Sequence, residues 1–124
     1  MIAENIKHRI KGVELLGTGW DEDLHDAVFV SIQYCSPKET CEIHLQSWND
    51  DEDGNHRRIL VKILFEGIRR FQIDDDIRGG FTTCIDVEQS EDQQYSGCLD
   101  FNAAEIGIRI RANSIIIVSV EPLE

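Results

Sequence analysis

The chain has 124 residues, 41% hydrophobic and 29% charged, which suits one domain with its own core and is too short for two. Its 24 acidic residues against 12 basic ones leave a net charge of -12, a field that repels nucleic-acid phosphates and anionic lipid and draws in basic surfaces. Direct nucleic-acid binding and membrane attachment are therefore disfavoured, and a basic protein partner is permitted. No stretch approaches the roughly 20 apolar residues that cross a bilayer, and the first nine residues lack the apolar run of a secretion signal. The expectation is a single cytoplasmic domain over 1–124 whose four cysteines are thiols.

In chain order, Ile6, Ile10 and Val13 recur at helical spacing until Gly17-Thr18-Gly19, which predicts a short helix or irregular arm. From Ala27 the period becomes two. Val28, Val30, Ile32 and Tyr34 are expected on one face, with Ser31 and Gln33 on the other. After the turn residues 36–40, Cys41, Ile43 and Leu45 alternate with Glu42, His44 and Gln46, giving a hairpin. Residues 49–55 read as a second turn. Ile59, Val61, Ile63 and Phe65 form the next inward face, and Gly67 marks a bulge, because Ile68, Phe71 and Ile73 break the alternation. A further hairpin is expected from 81–88 and 94–101. Ile106, Ile108 and Ile110 then alternate with Gly107, Arg109 and Arg111. A turn at Ala112-Asn113 leads into 114–120, whose apolar run suits a strand covered on both faces. The fold class is mainly β: an antiparallel sandwich or rolled sheet of seven to eight strands with a short N-terminal helix or arm.

Cys35 and Cys41 are symmetric about Lys38, and Cys84 and Cys98 about Glu91. In-register hairpins would set each pair face to face, as a redox-sensitive bridge or as buried small hydrophobes. The second reading is the expected one in a reducing cytosol. Neither gap has the close spacing of a zinc site.

No catalytic or metal motif stands up, so neither a cofactor nor an enzymatic activity is expected. Residues 49–55 place Asn49, Asp51, Asp53 and Gly54 where a calcium loop has ligand and turn positions. Leu60, however, stands where the bidentate glutamate belongs, and strands flank the loop. The adjacent His25 and Asp26 offer an imidazole and a carboxylate, either as a general base or metal site or as structural ties for the arm; the second is favoured, since no nucleophile is spaced to join them. Acids beside an aromatic anchor suit a protein interface. That pattern occurs at Trp48 with Asp50, Asp51, Glu52 and Asp53, and more weakly at Asp74, Asp75 and Asp76.

The series Trp20, Leu24-His25-Asp26-Ala27, an alternating strand, a second strand over 41–48, then Phe65-Glu66-Gly67-Ile68 and Phe71 resembles small bacterial immunity-type proteins of polymorphic and contact-dependent toxin systems. The similarity covers about residues 20–88, with Leu24 in an aromatic position of the pattern. The resemblance implies a β-rich domain that neutralises a toxin by binding it, with Trp20, His25, Asp26 and Gly67 as structural motif residues. The alternatives are a homo-oligomeric structural domain, pairing through 114–120 if that strand is an edge, and a His/Asp-dependent metal enzyme.

Overall fold

The computed structural model describes residues 9–20, 24, 27–73, 85–103 and 107–123. Among them the chain forms one open antiparallel sheet of six strands. These are β1 (Val28–Cys35), β2 (Thr40–Asp50), β3 (His56–Ile73), β4 (Asp86–Gln89), β5 (Leu99–Ala103) and β6 (Ile108–Pro122), in the order β1-β2-β3-β6-β5-β4. Two short 3-10 turns, Val13–Leu16 and Gln93–Tyr95, complete the described elements. Six strands are seen among the described residues where seven to eight were expected, partly because 108–122 is one continuous strand. Ala112 and Asn113 do not turn the chain back; they lie within β6, opposite the bend in β3.

The alternation of β2 survives intact, with Cys41, Ile43, Leu45, Ser47 and Asn49 buried and their neighbours half-buried. The inward face of β3 carries Ile59, Val61, Ile63 and Phe65, as its pattern requires. Then the phase changes. Three positions, rather than two, separate the buried Phe65 from the buried Ile68, and likewise Ala112 from Ile115. A step of three reverses the face in a pleated strand, so both long strands bend together, with Gly67 at φ +66° and a register shift between Ile68 and Arg70. In a flat sheet, Tyr34 on β1 and Phe71 on β3 would lie roughly 20 Å apart at about 3.3 Å per residue. Their rings instead meet at 4.8 Å, so the sheet curls inward at this bend. Phe65 and Phe101 close the core edge to face at 4.9 Å.

The first strand departs from its expected facing. A register shift between Phe29 and Ser31 places Phe29 opposite Leu45 and Ile32 opposite Ile43, both on the core side. Val30, the extra residue, is exposed. Phe29 and Ile32 therefore pack on the core, in place of the expected set with Val28 and Val30. β6 is also not the outer edge. Its neighbours are β3 on one side and, on the other, β5 and then Lys11, which pairs with Ile116. Ile115 and Ile117 are buried, but Ile116 is half-buried and Val118 exposed, so this strand is not covered on both faces by the described residues.

Of the expected short helix or irregular arm, residues 1–8 lie outside the described residues; Arg9 is helical, and from Lys11 the chain runs as an irregular arm. Lys11 hydrogen-bonds β6 at Ile115 and Ile117, the chain turns through Val13–Leu16, and Thr18 reaches the end of β2 at Asp50. Ile10 and Leu16 are buried beneath it, and Trp20 packs against the core. Buried Asn49 clamps the arm down: its Nδ2 donates to the Leu16 carbonyl at 2.7 Å, and its Oδ1 accepts from Arg57 Nε at 2.9 Å. Asn49 and Asp50 thus belong to β2, and the turn begins only at Asp51.

Register overturns the pairing of Cys35 with Cys41 and gives Cys98 another neighbour. Tyr34 lies opposite Cys41, and Cys35 opposite Thr40, so the two thiols sit on opposite faces of the hairpin. In the other hairpin Gln89 pairs with Leu99, and Ser90 N donates to the Cys98 carbonyl, so Ser90 occupies the place assigned to Cys84. Cys84 itself lies outside the described residues. Cys35, Cys41 and Cys98 are free thiols.

Candidate binding surface

The acidic hairpin between β2 and β3 is a built turn. Asp51 Oδ1 accepts the backbone N–H groups of Asp53 and Asn55, each at 2.9 Å. Asp51 N donates to the Asn55 carbonyl, Gly54 N to the Asp51 carbonyl, and Gly54 sits at φ +81°. Aspartate and glycine thus serve turn chemistry here. Glu52 and Asp53 are left exposed at the tip. Asp50 is drawn back, its carboxylate 3.3 Å from His56 Nδ1 and its N–H bonded to the Thr18 carbonyl. Trp48, half-buried, stands at the base of the hairpin opposite Arg58, on the outward face of the sheet. Trp20 packs on the core instead, so the two tryptophans do not meet.

The structure therefore brings Trp48, Asp50, Asp51, Glu52 and Asp53 to one end of the sheet, but divides their roles. Arg57 and Arg58 on the facing strand temper the charge of this end. His25, Asp26, Asp74, Asp75 and Asp76 lie outside the described residues. Gly67 is at the bend, as its expected bulge requires. His44 Nε2 meets Glu42 Oε1 at 2.6 Å on the outward face. Among the described residues, no group of three or more His, Cys, Asp or Glu side chains is disposed to hold a metal ion.

A second surface is formed by residues that the sequence reading left unassigned. Beyond the bend, the outward positions of β3, β6, β5 and β4 align in two rows: Gln72, Arg109, Asn102, Asp86 and Arg70, Arg111, Asp100, Glu88. Arg111 is ion-paired, with Nε 2.5 Å from Asp100 Oδ1 and Nη1 3.3 Å from Asp92 Oδ2. The Asp100 hydrogen bond is the main influence raising its pKa above the ordinary arginine value, against a smaller opposing effect of burial. Tyr95 lies beside the guanidinium groups of Arg111 and Arg70, 5.2 and 5.8 Å from its ring centre. Arg70 and Arg109 make no ion pair among the described residues. Together with Gln72, Asp100 and Asn102 they line a cleft of about 300 Å³. Alternation of Arg109 and Arg111 with isoleucines was visible in the sequence. Their meeting with Arg70 and Asn102 depends on β6 lying between β3 and β5.

Compared with family models, curated proteins and solved structures, the chain gave no match in any of the three.

Proposed function

We propose that this chain is a non-enzymatic binding protein that neutralises a basic protein partner in the cytosol, in the manner of the immunity-type proteins its sequence resembles. The observation that carries this reading is the β2–β3 hairpin. Asp51 is consumed in shaping the turn, which holds Glu52 and Asp53 out into solvent with Trp48 at their base. An aromatic anchor at the base of an acidic tip suits an interface that captures a cationic cleft, and a net charge of -12 steers the approach. Asp74, Asp75 and Asp76 are proposed as a secondary acidic contact on sequence alone.

The test is a pull-down from a lysate of the source organism with the immobilised domain, at low and high salt, alongside a Glu52→Lys/Asp53→Lys variant. The reading expects one basic protein, held at low salt, released at high salt and lost with the variant. Association equally fast at both salt concentrations would count against electrostatic capture.

A homo-oligomeric role has one observation in its favour. Edge strand β1 carries no charged residue and exposes Val30 and Tyr34. Edges of this kind pair with other strands unless charged or covered. Sedimentation of a monomer at high concentration would remove this second reading.

A further inference from the structure

We propose that the outward cleft over β3, β6 and β5 is a binding site for a small phosphate monoester carrying a hydroxyl group, of the sugar-phosphate class. This goes beyond the binding of a basic protein, which uses the opposite charge at a different end of the sheet.

Three observations lead there. First, the cleft gathers positive charge in a chain whose acids outnumber its bases two to one. Arg70 and Arg111 lie directly opposite each other on neighbouring strands, a like-charge pairing that destabilises a sheet unless something relieves it. Asp100 and Asp92 neutralise Arg111, and Tyr95 lies against both guanidinium groups. Arg70 and the diagonal Arg109 remain without a carboxylate among the described residues.

Second, two guanidinium groups without a carboxylate among the described residues match a dianion better than a monoanion. A phosphate monoester carries about -1.5 to -2 at neutral pH, and its tetrahedral oxygens accept from the planar forks of two arginines at once. Asp100 and Asp92 are already engaged with Arg111.

Third, Asn102 lines the cleft, and its Oδ1 is buried with no hydrogen-bond partner among the described residues. A buried acceptor without a donor is costly. Rotation of the Asn102 amide into the cleft offers that acceptor to a ligand hydroxyl beside the phosphate, with Gln72 across the row as a further polar contact. The volume of about 300 Å³ is at the small end of ligand pockets, which suits a monosaccharide phosphate.

The experiment is a 1H–15N NMR titration of the whole chain with ribose 5-phosphate, glucose 6-phosphate, inorganic phosphate and, as a carboxylate dianion, succinate. Saturable shifts at Arg70, Asn102 and Arg109 are expected with the phosphates, and tighter binding with the two sugar phosphates than with inorganic phosphate. Arg70→Gln and Arg109→Gln, both at exposed positions, should each weaken binding at least tenfold at unchanged melting temperature. Asn102→Ala should abolish the advantage of sugar phosphates over inorganic phosphate. Binding should tighten from pH 5 to pH 7, as the phosphate loses its second proton while the arginines stay charged. Three results would overturn the proposal: no saturable shift with any phosphate at millimolar concentration, succinate binding as tightly as ribose 5-phosphate, or an Arg70→Gln/Arg109→Gln double variant that titrates like the parent.

Discussion

Gly67 faces Asn113 across β3 and β6, and a Cβ built on Gly67 would overlap the Asn113 side-chain amide. Asn113 is itself held, accepting from Cys98 Sγ at 3.2 Å and from Arg69 Nε at 3.4 Å. The pair sits where both strands change inward phase, so the bend exists because one partner lacks a side chain and the other fills the space. Gly67 also has φ +66°, which costs a residue with a Cβ about 1–2 kcal/mol before any overlap. Gly67→Ala should therefore lose about 2–4 kcal/mol in urea unfolding, the remainder being overpacking. Asn113→Ala in the same chain should recover about 1 kcal/mol of that loss, because contacting sites couple. A Gly67→Ala variant as stable as the parent would mean that the bend does not depend on this approach.

The arm is pinned by one side chain, Asn49, whose amide reaches the Leu16 carbonyl inside the core. Asn49→Ala leaves that carbonyl and Arg57 Nε without their partner, and should cost about 1–3 kcal/mol. The loss should be local before it is global. Hydrogen exchange at Asp50 N–H, bonded to the Thr18 carbonyl, and at Ile117 N–H, bonded to the Lys11 carbonyl, should speed up more than exchange at the centre of β3. Uniform acceleration at all three would show that the arm does not open separately.

Burial, reinforced by nearby Glu42, pushes the Cys41 thiol up to about 12 from its usual 9. A raised folded pKa in an acid that is neutral when protonated means the unfolded chain loses the proton first. Stability contributed by the neutral thiol is complete below pH 9 and declines as pH rises from 9 towards 12. Cys41→Ala should flatten this alkaline decline while lowering stability at neutral pH. In the parent at pH 8, a thiol reagent should modify the half-buried Cys35 well before Cys41. Equal rates at the two sites would contradict the burial of Cys41.

Where the chain obeys strict alternation, its structure was legible: β2 and the first half of β3 lie as their patterns demand, and Gly67 was recognisable as a break. Three local events were not. The extra residue at Val30 shifts the phase of β1, so a pattern read from Val28 onward wrongly puts Val28 and Val30 on the face that Ile32 and Tyr34 do share. The turn Ser36 to Glu39, with Glu39 at φ +53°, holds an even number of residues, which displaces Cys35 from Cys41 by one position. Asn113 looks like a turn residue in isolation, and only its contact with Gly67 makes it part of a continuous strand. The arginine cleft was hidden for another reason. Its members come from three strands, and no local pattern states that β6 lies between β3 and β5.

The acidic hairpin allows shape and charge to be separated by mutation. Asp51 holds two backbone N–H groups, so Asp51→Ala should lose about 0.5–1.5 kcal/mol, the usual yield of such bonds at an exposed turn. Glu52 and Asp53 make no side-chain bond among the described residues and are exposed, so Glu52→Gln and Asp53→Asn should each stay within about 0.5 kcal/mol of the parent. With a captured basic partner, the order should invert. The Glu52→Gln/Asp53→Asn variant should associate more slowly and with a weaker salt dependence, because exposed rim charges act mainly on the rate of encounter. Asp51→Ala should slow association only to the extent that the loosened turn no longer presents the tip. Chemical denaturation and stopped-flow association on these four variants decide the matter. If Glu52 and Asp53 prove silent in both, the hairpin is a solvated turn, and the partner must be sought on another surface.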